Sequence, residues 1–226
     1  MKKYITTAIA FLFLITPQIT KAADTENTFI LSKGWSLVSS DVVFGINKAD
    51  FLSGGGALFV LNPQDKKYYG GSGNYQAVIS SIDGAQKLLP DGDNISALGW
   101  WVYAPQEYAY VSVDRNIRAD RMSYYQDAYH FYKGWNLIGM TGVMLNKSFM
   151  DVKGTCEFVS AYVYSSASLS KLTEIESGWS KLTEIDLQQK FEADKLGGAL
   201  AIKVANDCRF DFAKPHTIPQ VPSFPR

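Results

Sequence analysis

The chain has 226 residues, 22 basic and 22 acidic, with 13 Tyr, 13 Phe, 5 Trp and 2 Cys. Charge is spread without a basic block or stripe, which argues against nucleic acid as a partner and against electrostatic docking on anionic lipid. The length suits one domain or two small ones, and the aromatic content exceeds what a core alone absorbs, so some rings are expected on the surface.

The N-terminus reads MKK, then YITTAIAFLFLI, then TPQITKAAD. A basic start, an apolar run and small residues before a cut site make a secretory signal peptide. Thr20 and Ala22 suit the positions three and one before cleavage, which places the signal at 1–22. A membrane anchor is the alternative, but the apolar run is shorter than the roughly 20 residues a spanning helix needs. Cleavage removes Lys2, Lys3 and Lys21 and leaves 19 basic against 22 acidic residues, a net charge of −3. The chain is expected to be exported, to the periplasm, the cell surface or the medium.

Two stretches about a hundred residues apart are nearly the same: KGWSLVSS from Lys33 and KGWNLIGM from Lys133. The matches continue in order. Trp35 answers Trp135, Asn47-Lys48 answers Asn146-Lys147, Phe51 answers Phe149, and Gly99 answers Gly198. The predicted organisation is two homologous β-rich units, 28–117 and 129–213, joined by a linker at 118–128. The fold class is mainly β with short helices, as two tandem sheet or barrel-like units.

Within each unit the strand signals are short apolar runs bounded by Gly, Pro and Ser: ALFVLN, GWWVYA, EFVSAYVY and ALAIKV. Asn62-Pro63 marks a turn. Asn47 and Asn146 are expected to cap one-turn helices reaching Phe51 and Phe149. SSIDGAQKLL before Pro90, and DLQQKFEADKLGG with a stop at Gly197, carry helical spacing. SKLTEI occurs at 170–175 and again at 180–185; its Thr and Ile favour strand over helix, with Ser-Gly between the copies as the turn. The tail at 214–226 is Pro-rich and is expected to be extended.

Cys156 and Cys208 are expected to form a disulfide, as two cysteines in an exported chain most simply do. Trp35 and Trp135 are expected to be core anchors with their indole N–H bonded to backbone, alongside Phe51 and Phe149. The best binding candidates are the rings of KKYYGGSGNY and of the following strands: Tyr68, Tyr69, Tyr75, Trp100, Tyr103, Tyr108 and Tyr110. Exposed rings beside glycines suit sugars or a partner protein.

Signals for bond chemistry are poor. His130 and His216 lack a Cys, Asp or Ser partner at a recognisable spacing. GGSGN at 70–74 approaches the nucleophile elbow but ends in Asn, away from any strand-to-helix pattern. GVMLNKS lacks the Gly of a phosphate loop. DGDN at 91–94 departs from a calcium loop at Ile95 and Ser96. No metal, cofactor or catalytic residue is expected, although a carboxylate pair in a cleft would escape detection.

The pattern GWN-L-(I/V)-(G/S), a short helix ending in Phe, an aromatic strand and G-x-W-V resembles a module of exported and surface bacterial proteins. KGWNLIGM and LGWWVYA carry the resemblance. It implies a non-catalytic module within exported chains. The expected function is a non-enzymatic binding or structural module at the cell envelope, with another envelope protein as partner. The alternatives are a carbohydrate-binding protein, with a glycan as ligand, and a secreted hydrolase.

Overall fold

The computed structural model describes residues 28–90, 93–111, 129–165, 178–191 and 197–212. The expected signal peptide at 1–22, the expected linker at 118–128, the Pro-rich tail with His216 and the first SKLTEI copy lie outside the described residues. Within them the chain is mainly β, with few and mostly short helices.

The N-terminal half contains β1 (Thr28–Leu31), β2 (Gly34–Ser39), α1 (Ser40–Gly45), α2 (Lys48–Ser53), β3 (Ala57–Asn62), β4 (Lys67–Ser72), α3 (Tyr75–Leu88), β5 (Gly99–Ala104) and β6 (Tyr108–Val111). The C-terminal half contains β7 (His130–Phe131), β8 (Gly134–Gly139), α4 (Phe149–Val152), β9 (Phe158–Ser165), β10 (Gly178–Lys181), α5 (Glu184–Gln188), β11 (Ala199–Val204) and β12 (Cys208–Arg209). The first half builds an antiparallel sheet in the order β2-β5-β3-β4, the second one in the order β8-β11-β9-β10. Each half adds a two-stranded pair, β1-β6 and β7-β12. Both halves therefore run the same strand order.

The pairing register makes the comparison residue by residue. Leu37 lies opposite Trp101, and Trp101 opposite Phe59. Leu137 lies opposite Ala201, and Ala201 opposite Tyr162. Leu61 pairs with Tyr68 as Tyr164 pairs with Trp179. By register Gly99 corresponds to Ala199, and Leu98 to Gly198. This corrects the expected match of Gly99 with Gly198 by one residue.

Strand alternation gives each sheet two apolar faces. Val38, Leu58, Val60, Trp100 and Val102 turn outward into a core closed by α1, α2 and α3, where Phe51 is buried. Ile138, Ala161, Leu200, Ile202 and Val204 do the same in the second half, beside Phe149. The opposite faces meet each other through Leu37, Leu61, Leu137, Ala199 and Ala201. The two sheets thus pack face to face, with the helices outside. At their closest approach equivalent residues touch. A Cβ on Gly99 would lie 2.9 Å from the Ala199 Cβ, and one on Gly139 would lie 2.9 Å from the Ser39 Cβ. Val38 bridges to Gly198 and Ile138 to Leu98. Positions equivalent by strand register thus meet where the two sheets approach most closely.

Local rules explain most elements. Asn74 caps α3 by accepting from the Ala77 N–H at 3.1 Å, and α3 buries Val78, Ile82 and Ala85 before Pro90 stops it. Asn62 Oδ1 accepts from the Gln64 N–H at 2.8 Å and turns the chain into β4. Asn47 caps α2. Asn146 does not cap α4. It sits at φ 61°, and Ser148 forms a capping box with Asp151 instead. In the second SKLTEI copy, Ser180 and Lys181 end β10, but Thr183 and Asp186 form a capping box that starts α5. The strand expectation fails there because Thr-x-x-Asp satisfies two orphan backbone donors at once. In DLQQKFEADKLGG the helix α5 ends at Gln188 and Phe191 bridges to Leu145; 192–196 lie outside the described residues.

Cys156 and Cys208 form the disulfide, with Cα atoms 5.2 Å apart. It ties the segment before β9 to β12. A second tie joins the halves. Asp93, its side chain 4% exposed, accepts from Tyr132 OH at 2.6 Å, contacts His130 Nδ1 at 2.9 Å and pairs with Arg209 Nη2 at 3.0 Å. Burial, followed by the hydrogen bond to Asp93, pushes the Tyr132 phenol well above its ordinary range and keeps it a donor. Asp93→Ala should therefore destabilise the chain by about 2 kcal/mol, because it strips part-buried Tyr132 and His130 of one acceptor, while Arg209, 47% exposed, loses little. Urea unfolding checks this, and the conservative Asp93→Asn should recover part of the loss.

Candidate functional site: an aromatic cleft between the sheets

Away from the glycine contacts the sheets separate, and the gap is lined by rings. Alternation along β2, β3 and β5 points Trp35, Phe59, Trp101 and Tyr103 into it, and β4 adds Tyr68. From the other wall come Trp135, Tyr162, Tyr164 and Trp179. Trp101 crosses the gap edge-on to Tyr164, with ring centroids 4.8 Å apart, and to Trp179 at 5.8 Å. Trp35 packs against Tyr103 at 5.3 Å and Phe59 at 6.0 Å. Trp135 packs against Tyr162 at 5.8 Å.

Two cavities share Tyr68. The smaller, about 430 Å³, is lined by Trp35, Phe59, Tyr68, Trp101 and Tyr164. The larger, about 500 Å³, is lined by Leu61, Tyr68, Trp135, Leu137, Tyr162, Trp179 and Ala201. Register equivalence carries all five residues of the smaller cavity onto residues of the larger: Trp135, Tyr162, Trp179, Ala201 and Leu61. The cavities are the same place in the two halves. Ala201 stands where the other half has Trp101, and the smaller side chain agrees with the larger volume.

The expected core anchors Trp35 and Trp135 are corrected here. They are 44% and 41% exposed and line the cleft. They share a face with Leu37 and Leu137, whereas the outward core takes the intervening positions. Trp100 is corrected in the opposite sense. It is 1% exposed, in the core of the first half, with Nε1–H donating to the Ile95 carbonyl at 3.3 Å. Of the two adjacent tryptophans, Trp101 faces the cleft.

The other candidates divide. Tyr68, 55% exposed, and Tyr103 belong to the cleft wall. Tyr69 lies on the opposite face of β4, packed on the first core, and its hydroxyl bonds to Asp65 Oδ2 at 2.5 Å. That hydrogen bond, then burial, raises its pKa. Tyr75 begins α3, outside the cleft. Tyr108 packs edge-on to Phe51 at 5.5 Å. Tyr110 sits in β6 opposite Phe29, and its side chain lies outside the described residues.

GGSGN does lie between a strand and a helix, β4 and α3, contrary to expectation. His130, however, is held by Asp93 at the junction of the halves. Among the described residues no three His, Cys, Asp or Glu side chains cluster as a metal site, and no helix is long and apolar enough to cross a membrane.

One strap crosses the cleft. Lys66, at φ 60° in the β3–β4 turn, donates from Nζ to the Trp135 carbonyl at 3.0 Å. Burial lowers its pKa, opposed by attraction to Asp207. Comparison of the chain with protein families, with curated proteins and with solved structures found no match.

Proposed function

We propose that the protein is an exported, non-enzymatic binding module built from two copies of one β-rich unit, and that its ligand seat is the aromatic cleft between them. The carrying observation is that Trp35 on one wall and Trp135 and Trp179 on the other remain 44%, 41% and 47% exposed while lining the gap. Exposed apolar surface of that extent is costly unless something covers it, and few other groups offer as much contact area as Trp and Tyr. A signal-like N-terminus and a disulfide support export. The partner is then an apolar group, carried by an envelope protein or free in solution, that enters between the sheets.

A glycan is the second reading. The exposed indoles favour it, since sugars stack on ring faces. Sugar hydroxyls also need polar neighbours, and among the described cleft-facing strand positions those of the second sheet are Ser160, the tyrosine hydroxyls, and Lys181 and Lys203 at one end, with no amide or carboxylate to accept from a sugar. Among the described residues the walls present no carboxylate for general acid or base work, which places a hydrolase third.

The neutral dye N-phenylnaphthylamine tests the seat. It should bind and fluoresce with the wild-type chain, and Trp135→Ala or Trp179→Ala should weaken binding roughly tenfold. Dye binding indifferent to both substitutions would locate the apolar site elsewhere.

A further inference from the structure

We propose that the larger cavity is a small-molecule site for an organic anion, an apolar, ring-sized body bearing one acidic group. This rests on the cleft reading and names its ligand.

The cavity of about 500 Å³ lies in the range of small-molecule sites. What distinguishes it from its twin is charge. The two walls carry uncharged side chains at every equivalent cleft-facing position except two. Lys181, opposite Tyr162, stands where the first half has Gly70, opposite Phe59. Lys203, opposite Trp135, stands where the first half has Tyr103, opposite Trp35. Trp135 and Tyr162 both line the larger cavity, so both lysines rise beside it on the same face of their sheet.

Lys66 brings a third ammonium group to the same end from across the gap, held on the Trp135 carbonyl. An ammonium has three donors, and this bond uses one. Asp207 is the acidic group near it, and one Asp207 oxygen already accepts from the Lys133 N–H at 2.7 Å. Among the described residues no Asp or Glu occupies a cleft-facing position of either four-stranded sheet. By strand register the larger cavity therefore offers an apolar floor with three cations beside it, and among the described residues the twin cavity offers the floor alone. An acid with an apolar body satisfies both parts, its ring among Trp135, Tyr162 and Trp179 and its charge toward Lys181 and Lys203.

Two probes that share one skeleton test this: anilinonaphthalene sulfonate, and N-phenylnaphthylamine, which lacks the sulfonate. Each is titrated into the full chain and into the Lys181→Gln/Lys203→Gln double variant, with Trp179→Ala to locate the site. The anionic probe should bind roughly fivefold tighter than the neutral one. Added salt and the double variant should each close that gap, while the neutral probe binds the variant unchanged and so reports an intact cleft. If the neutral probe binds in a Trp179-dependent way but the sulfonate adds nothing, or the gap survives in the double variant, the anion inference is overturned and the cleft reading stands. If neither probe depends on Trp179, both fall.

Discussion

Gly139→Val should lower stability by about 3 kcal/mol, because it wedges apart the two sheets at their closest approach. A Cβ there would lie 2.9 Å from the Ser39 Cβ, 3.0 Å from its Cα and 3.1 Å from the Leu98 carbonyl oxygen. Two of those three atoms are backbone, so no side chain can swing aside. The strands β2 and β8 would have to separate, and the contacts of Leu37 with Leu137 and Ala201 would loosen with them. Urea unfolding measures the loss. Gly84→Ala in α3 is the control: nothing lies within 4 Å of its added Cβ, and removing a mid-helix glycine should stabilise by roughly 0.5–1 kcal/mol. A mild effect at Gly139 would mean that the sheets do not meet as described.

Loss of the disulfide should cost more. The bridge joins residues 52 apart in sequence, and closing such a loop removes unfolded-chain entropy worth about 4 kcal/mol. The paired change Cys156→Ala/Cys208→Ala also leaves two small gaps in the second core, where both cysteines are buried beside Phe210. The expected result is a large fall in the urea midpoint that the wild-type chain reproduces when reduced. The β7-β12 pair, two residues long on each strand, should lose amide protection first. If reduction leaves the midpoint in place, the second half is held by its core alone.

Much of the fold can be read in the sequence, and the cleft only in part. The strand runs ALFVLN, GWWVYA, EFVSAYVY and ALAIKV are strands because short apolar runs bounded by turn residues have few other outcomes. The eight-residue match around Trp35 and Trp135 finds equivalent positions, but it misplaces both rings. A tryptophan alternating with Leu37 or Leu137 shares their face, and in a sheet that is apolar on both sides the sequence does not say which face is sealed. The same ambiguity exchanges Trp100 and Trp101: a near-continuous apolar run carries no parity signal. Trp179 escapes attention inside ESGW, between the SKLTEI copies, because its importance comes from pairing with Tyr164. Asp93 reads as a turn residue in DGDN; its partners lie 37, 39 and 116 residues away, beyond the reach of any local pattern.

The five tryptophans offer the most direct test of the cleft as ligand seat. Their indole N–H signals are followed by NMR in labelled protein as N-phenylnaphthylamine is added. The signals of Trp35, Trp101, Trp135 and Trp179 should shift or broaden, those of Trp135 and Trp179 most, while buried Trp100 stays in place. Movement of Trp100 with the other four unchanged, or saturable dye binding with all five still, would contradict a binding site between the sheets.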